Sequence, residues 1–99
     1  MKYSCSGQLM EAVRKLDYKG QYKVCEAFFN MMIEEGFGDD SEIGLRFHDT
    51  FEEINPRFLD SDLMQLHFAI NDMDNAIYEI DIYEPGLFMR IARRLEKFV

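Results

Sequence analysis

Cys5, Cys25, His48 and His67 are the side chains in this sequence best suited to hold a metal or carry a nucleophilic reaction. They stand 19 to 23 residues apart, with no CxxC or HxxxH pair of the kind that fixes two zinc ligands locally. Glu-x-x-His, the motif of a helical di-metal site, does not occur. His48 precedes Asp49 and lies one helical turn before Glu52. That spacing suits an acid/base pair, and it equally suits an ordinary surface ion pair, which contributes little. Asp72-x-Asp74 resembles the start of a calcium loop, but Ile77 and Tyr83 stand where such a loop needs Gly and Glu. There is no glycine-rich phosphate loop, nucleophile elbow or Ser-His-Asp order. The chain reads as a non-enzyme, with no metal and no cofactor expected.

The carboxylates depart from ordinary composition. Between Glu26 and Glu84 there are sixteen acidic residues against two basic ones, Arg46 and Arg57. The flanks invert the balance: Lys2, Arg14, Lys15, Lys19 and Lys23 precede the acidic stretch and Arg90, Arg93, Arg94 and Lys97 follow it, against only Glu11, Asp17 and Glu96. The plain alternative is a solvated, solubilising surface partly neutralised by the chain's own ends. Segregation of the signs argues for more, because like charges gathered in one region repel and cost stability.

Ninety-nine residues make one domain, since a chain of this size buries only about 60–70% of its unfolded surface and cannot divide that between two cores. With 47% hydrophobic residues, nine Phe and five Tyr, it has enough apolar side chain to fold. A net charge of -8 disfavours direct contact with nucleic acid or an anionic membrane. No stretch approaches a membrane span, and the N-terminus lacks the apolar run of a secretory signal, so the expected location is the cytoplasm. Two cysteines are too few for a disulfide scaffold; Cys25 is expected buried as a small hydrophobe and Cys5 free near the N-terminus.

The elements that must position these side chains follow from apolar spacing. Ser4 or Ser6 would cap a first helix over about 7–18, broken at Lys19-Gly20. Tyr22, Cys25, Phe28, Phe29, Met32 and Ile33 line a second helix, stopped by Gly36 and Gly38. Asp39, Asp40 and Ser41 supply capping oxygens and first-turn charge for a third, whose buried line is Ile43, Phe47, Phe51 and Ile54 and which Asn55-Pro56 ends. Phe58 and Leu59 are expected to plug the core. Residues 63–83 read two ways. Leu63, Leu66, Ile70, Met73, Ile77 and Ile80 recur at steps of three and four, as in a packed helix capped by Ser61. Alternating Leu66, Phe68 and Ile70, a turn-like Asn71–Asn75 and alternating Tyr78, Ile80 and Ile82 would instead make a β-hairpin. After Glu84-Pro85-Gly86 a last helix lines one face with Phe88, Ile91, Ala92, Leu95, Phe98 and Val99 and turns Arg90, Arg93, Arg94 and Lys97 outward. The expected fold is mainly α, a compact bundle of about five helices, with an α+β variant if 63–83 is a hairpin.

The function expected from this pattern is stoichiometric inhibition. Glu34, Glu35, Asp39, Asp40, Glu42, Asp49, Glu52, Glu53, Asp60 and Asp62 would meet a basic, nucleic-acid-binding protein and occlude its groove, because such a groove reads charge and spacing before sequence. Asp39, Asp40, Glu42, Glu52 and Glu53 would anchor the contact, with Phe37 or Tyr83 as an apolar centre. Phage anti-defence proteins such as anti-CRISPRs, and the immunity proteins of nuclease toxins, are the kinds of inhibitor that work this way. The alternative is a structural or adaptor subunit that self-associates as a homodimer, using a leftover apolar stripe and docking its basic last helix on the acidic body of a second copy.

Overall fold

The segment poised between helix and hairpin is one continuous helix, and the molecule is built around it. The computed structural model describes residues 2–38 and 41–99. Its α-helices are α1 (Ser6–Arg14), α2 (Tyr18–Glu35), α3 (Glu42–Glu52), α4 (Leu63–Tyr83) and α5 (Pro85–Leu95), with 3-10 turns at Pro56–Ser61 and Glu96–Phe98; there is no strand among the described residues. The mainly α reading stands and the hairpin variant does not. Leu66, Ala69, Ile70, Met73, Ala76 and Ile77 form a buried stripe at helical spacing. The Asn and Asp residues that suggested a turn bond to neighbouring helices instead. Arg14 donates to Asn71 Oδ1 (3.1 Å) and Asp74 Oδ2 (2.8 Å), and the Thr50 hydroxyl donates to Asp72 Oδ2 (2.9 Å). With these side chains engaged, they do not compete for the helix backbone.

α4 packs against each of the other four helices. α1 and α3 flank it, tied by the Arg14 and Thr50 bonds. Two more bonds extend the ties, from Gln65 Nε2 to the Thr50 carbonyl (3.0 Å) and from the Ser6 N–H to Asp81 Oδ2 (2.9 Å). The buried face of α4 meets α2 and α5. The buried residues form one core cluster, to which Phe28, Phe47, Phe88, Leu9, Met31, Met73 and Ile91 contribute the largest enclosed side chains. Each such side chain contributes about 1.5–3 kcal/mol on burial. Phe28 meets Phe47 edge-on at 5.1 Å, and Phe29 packs on Phe51 at the same distance, joining α2 to α3.

Several local expectations change. α1 ends at Arg14, and α2 begins at Tyr18 because the Asp17 carboxylate accepts the Gly20 N–H at 2.8 Å; Lys19-Gly20 lies within the first turn of α2 rather than breaking a helix. Neither Ser4 nor Ser6 caps α1 by its side chain, and the carboxylate of Asp81 reaches over from α4 to take up the Ser6 N–H. Ser61 does not cap α4 either. Asp62 occupies the capping position, but its carboxylate accepts the Asn55 N–H (3.0 Å), closing the 3-10 turn. α3 stops at Glu52, before Asn55-Pro56, and Asn55 caps the 3-10 turn through the Arg57 N–H. Phe58 is exposed and plugs nothing, while Leu59 packs partly against the core. Gly36 ends α2 with φ 67°, as its residue type suggested. No helix is long and apolar enough to cross a membrane, among the described residues.

Candidate partner-binding surface

α3 carries the acidic row and is held on three sides. Ser41 Oγ accepts the Gly44 N–H (3.2 Å) and caps its first turn. Phe47 and Phe51 are buried. Thr50 is bonded through its hydroxyl and carbonyl to α4. At its start the α2–α3 turn passes so close that a Cβ on Gly44 would come within 2.8 Å of Gly38 Cα. A helix fixed in this way holds the backbone positions that carry its outer carboxylates, so their charges present one field to a partner.

The ten carboxylates singled out from sequence separate into groups. Glu42 is exposed and pairs with Arg46 one turn on (3.1 Å). Asp49 and Glu52 are exposed on either side of His48, each 3.5 Å from a ring nitrogen. Glu53 and Asp60 are exposed. Asp62 serves the backbone at Asn55. Glu34 and Glu35 belong to a different surface, where Arg94 and Arg90 of α5 meet them at 3.0 and 3.2 Å. Asp39 and Asp40 lie outside the described residues.

The charge segregation seen along the chain is therefore partly undone in space. The basic last helix lies beside the acidic end of α2, and Arg14 of α1 beside Asp74 of α4. The sequence offered neutralisation by the chain's own ends as the plain alternative without identifying these pairs. Their signal was the i, i+4 spacing of Arg90 and Arg94, which matches two successive acids at the end of α2 once the helices are adjacent. On α3 and its C-terminal cap, by contrast, Arg46 is the one Lys or Arg among Glu42, Asp49, Glu52 and Glu53, and it pairs with Glu42.

His48 lies half-buried against Phe29, ring centres 5.0 Å apart, and its Nδ1 is enclosed without a hydrogen-bond partner, the nearby Asp49 oxygen being poorly aligned. His67 is exposed on α4 beside Asn71. Cys25 is buried and Cys5 exposed, so the four sulfur and imidazole side chains remain dispersed. No three His, Cys, Asp or Glu side chains lie together as a metal site among the described residues. Burial pushes the Cys25 thiol far above its ordinary value. Burial, then the neighbouring Glu26 and Cys25, raises the Tyr22 phenol. A pocket of about 80 Å³ beside the α2–α3 turn is lined chiefly by Phe28, Met32, Phe37, Ile80 and Tyr83 with Glu79 and Glu84, and no histidine or cysteine lines it. Phe37 is half-buried there against Phe28 (5.8 Å), so of the two aromatics expected to be exposed only Tyr83 is.

Compared with known proteins, the chain matches no family model, no curated protein and no solved structure.

Proposed function

We propose that this protein is a non-enzymatic binding module that occupies a basic site on a partner protein, the kind of site that otherwise holds nucleic acid. One observation supports this reading above the others. Where α2 and α5 meet, the carboxylates have cations of their own chain, whereas on α3 and its C-terminal cap four exposed carboxylates stand with one basic side chain, Arg46, which pairs with Glu42. Glu42, Asp49, Glu52 and Glu53 therefore carry charge that a basic partner would neutralise, and Asp60 on the following turn adds to it. Glu34 and Glu35 are reassigned to holding α5. Carboxylates one helical turn apart are about 5–6 Å from each other, close to the phosphate spacing along a strand, so the face substitutes for a short run of backbone phosphates.

The test uses the immobilised protein in nuclease-treated lysate of its native host, with retained proteins eluted on a salt gradient. A nucleic-acid-binding protein eluting at moderate salt, and displaced by added DNA or RNA, supports the reading. Reversing Asp49, Glu52 and Glu53 together to Lys should slow its association on the order of tenfold or more. Reversing Glu34 and Glu35 should cost stability and leave binding intact. Equal binding by the α3 triple variant and the native chain would refute the assignment of the face. A second reading, self-association, is favoured by an exposed apolar seam on α4.

A further inference from the structure

α4 buries one stripe and exposes another. On its outer side Met64, Phe68, Asn71, Asn75, Tyr78 and Ile82 follow at steps of four, three, four, three and four residues, the spacing of a helix–helix seam. Met64 is 67% exposed, Phe68 48%, Tyr78 60% and Ile82 52%. These are large apolar side chains left in water along about 27 Å of helix. From the general size of such side chains, the four present on the order of 400 Å² per copy in two halves parted by Asn71 and Asn75, the size of the largest apolar patch on a typical monomer, which is often functional.

The order of residue types on this seam is a palindrome. Reversed about the level of Met73, Met64 takes the place of Ile82, Phe68 of Tyr78, and Asn71 of Asn75. Any seam with this spacing is symmetric in position; symmetry of chemistry, apolar with apolar, ring with ring and amide with amide, is an additional property of this sequence. An antiparallel two-fold pairing makes use of that property, because each residue i that meets j on the second copy is matched by j meeting i, and here every such contact joins like to like. We propose that the outer seam of α4 is a homodimer interface, in which two copies pair antiparallel about a two-fold axis at the level of Met73. This is independent of the basic-partner reading.

In that pairing Met64 meets the second copy's Ile82, Phe68 meets Tyr78, and Asn71 meets Asn75. The four apolar side chains of the two copies bury on the order of 800–900 Å² before flanking groups are counted, below the roughly 1,200 Å² at which standard specific interfaces begin, so the dimer is a weak one. The two amide pairs at the centre fix register, since a slip of one turn would set amide against ring. Of the carboxylates bordering the seam, Glu79, one turn from Asn75 and Ile82, has no partner among the described residues, whereas three do: Asp74 is paired with Arg14, Asp72 accepts from Thr50, and Asp81 accepts the Ser6 N–H. Closing the seam thus strands none of these three charges without a partner.

Sedimentation equilibrium of the full chain across the micromolar to submillimolar range tests this, with Phe68→Lys as the disrupting variant and its melting curve as the folding control. Because Phe68 is half-exposed, the variant should melt like the native chain and sediment as a monomer. Geometry is read by disulfide trapping in a Cys5→Ser background. Chains carrying Met64→Cys and chains carrying Ile82→Cys should form a disulfide with each other when mixed under mild oxidation, and neither should form one with itself, because like positions lie about 27 Å apart in the antiparallel pair. A native chain that stays monomeric throughout overturns the proposal, as does a dimer that survives Phe68→Lys or one whose trapped disulfides join like positions.

Discussion

Gly44→Ala should destabilise this protein although glycine in a helix ordinarily gives way to alanine with a gain. In the first turn of α3 the exchange would contribute up to about 1 kcal/mol in propensity. Against it stands the approach of the α2–α3 turn: an added Cβ would fall within 2.8 Å of Gly38 Cα and 2.9 Å of its carbonyl carbon, with the carbonyl oxygen nearer still. These are backbone atoms, and Gly38 holds φ 87°, so the obstruction cannot rotate away as a flexible side chain would. Overpacking of this kind costs about 1–3 kcal/mol; because the obstruction is backbone the upper part of that range, about 2–3 kcal/mol, applies, and set against the propensity gain it leaves a net loss of about 1–2 kcal/mol. For a chain of this length that lowers the melting temperature by roughly 5–15 °C. Gly7→Ala is the internal control. It also lies in the first turn of a helix, with nothing within 4 Å of the added methyl, and should gain a few tenths to about 1 kcal/mol. Thermal unfolding followed by circular dichroism compares the two. If Gly44→Ala melts at or above the native temperature, or if both variants shift in the same direction, the close approach that seats α3 is not as described.

Other outcomes follow from the core and its titrating groups. Cys5 should react with a thiol reagent in the native state, and Cys25 only on unfolding, giving one fast equivalent and a second that tracks denaturant. Cys25 and Tyr22 both have folded pKa values above their ordinary 9.0 and 10.0, so each favours the protonated folded state. Their contribution is complete below about pH 9 and is lost as pH rises, most steeply for the buried Cys25, with a slope of up to about 1.4 kcal/mol per pH unit. Cys25→Ala should flatten the part of that decline between pH 9 and 10, read from denaturant midpoints. Phe47→Ala, which removes the ring between Phe28 and Phe51, should cost about 3–5 kcal/mol. Thr50→Val removes the hydroxyl that Asp72 accepts from and should cost on the order of 1 kcal/mol, measured in the same melts.

Apolar periodicity carried most of the fold in a readable form. Most of the buried lines of α2, α3 and α5 follow their i, i+3, i+4 spacing, and Gly36 ends α2 where its residue type suggested; but Ile33 and Phe98, expected on those lines, are exposed, and α2 buries Val24 and Met31 instead. What the sequence left open at 63–83 was settled by distant partners: Arg14 and Thr50, which engage the central Asn and Asp residues, lie more than twenty positions away along the chain. The capping errors have the same origin. Asp81 serving the start of α1 is a bond across 75 residues, beyond the reach of any local motif. For the candidate surface, residue types identified carboxylates but not their surroundings. Glu34 and Glu35 look like Glu52 and Glu53 in sequence, and only the position of α5 separates an internally paired carboxylate from an available one.

The acidic face and the apolar seam are linked by symmetry, and salt distinguishes their effects. A two-fold axis normal to paired α4 helices keeps each copy's α3 on the same side of the seam and each copy's α1 on the other, because α3 and α1 flank α4 on opposite sides. The two acidic α3 rows would then run near one another, and each copy brings its net charge of -8. Their repulsion opposes pairing and is screened as the Debye length falls from about 30 Å at 0.01 M salt to about 10 Å at 0.1 M. Self-association through the apolar seam should therefore strengthen with salt, whereas capture of a basic partner by α3 should weaken. The docking of the basic last helix on a second copy would also weaken with salt, and Arg90 and Arg94 are in addition already engaged by Glu35 and Glu34. Sedimentation at 0.05 M and 0.5 M salt thus separates the two modes of self-association by sign. A dimer that dissociates at the higher concentration would refute the seam and restore charge as the force that joins the copies.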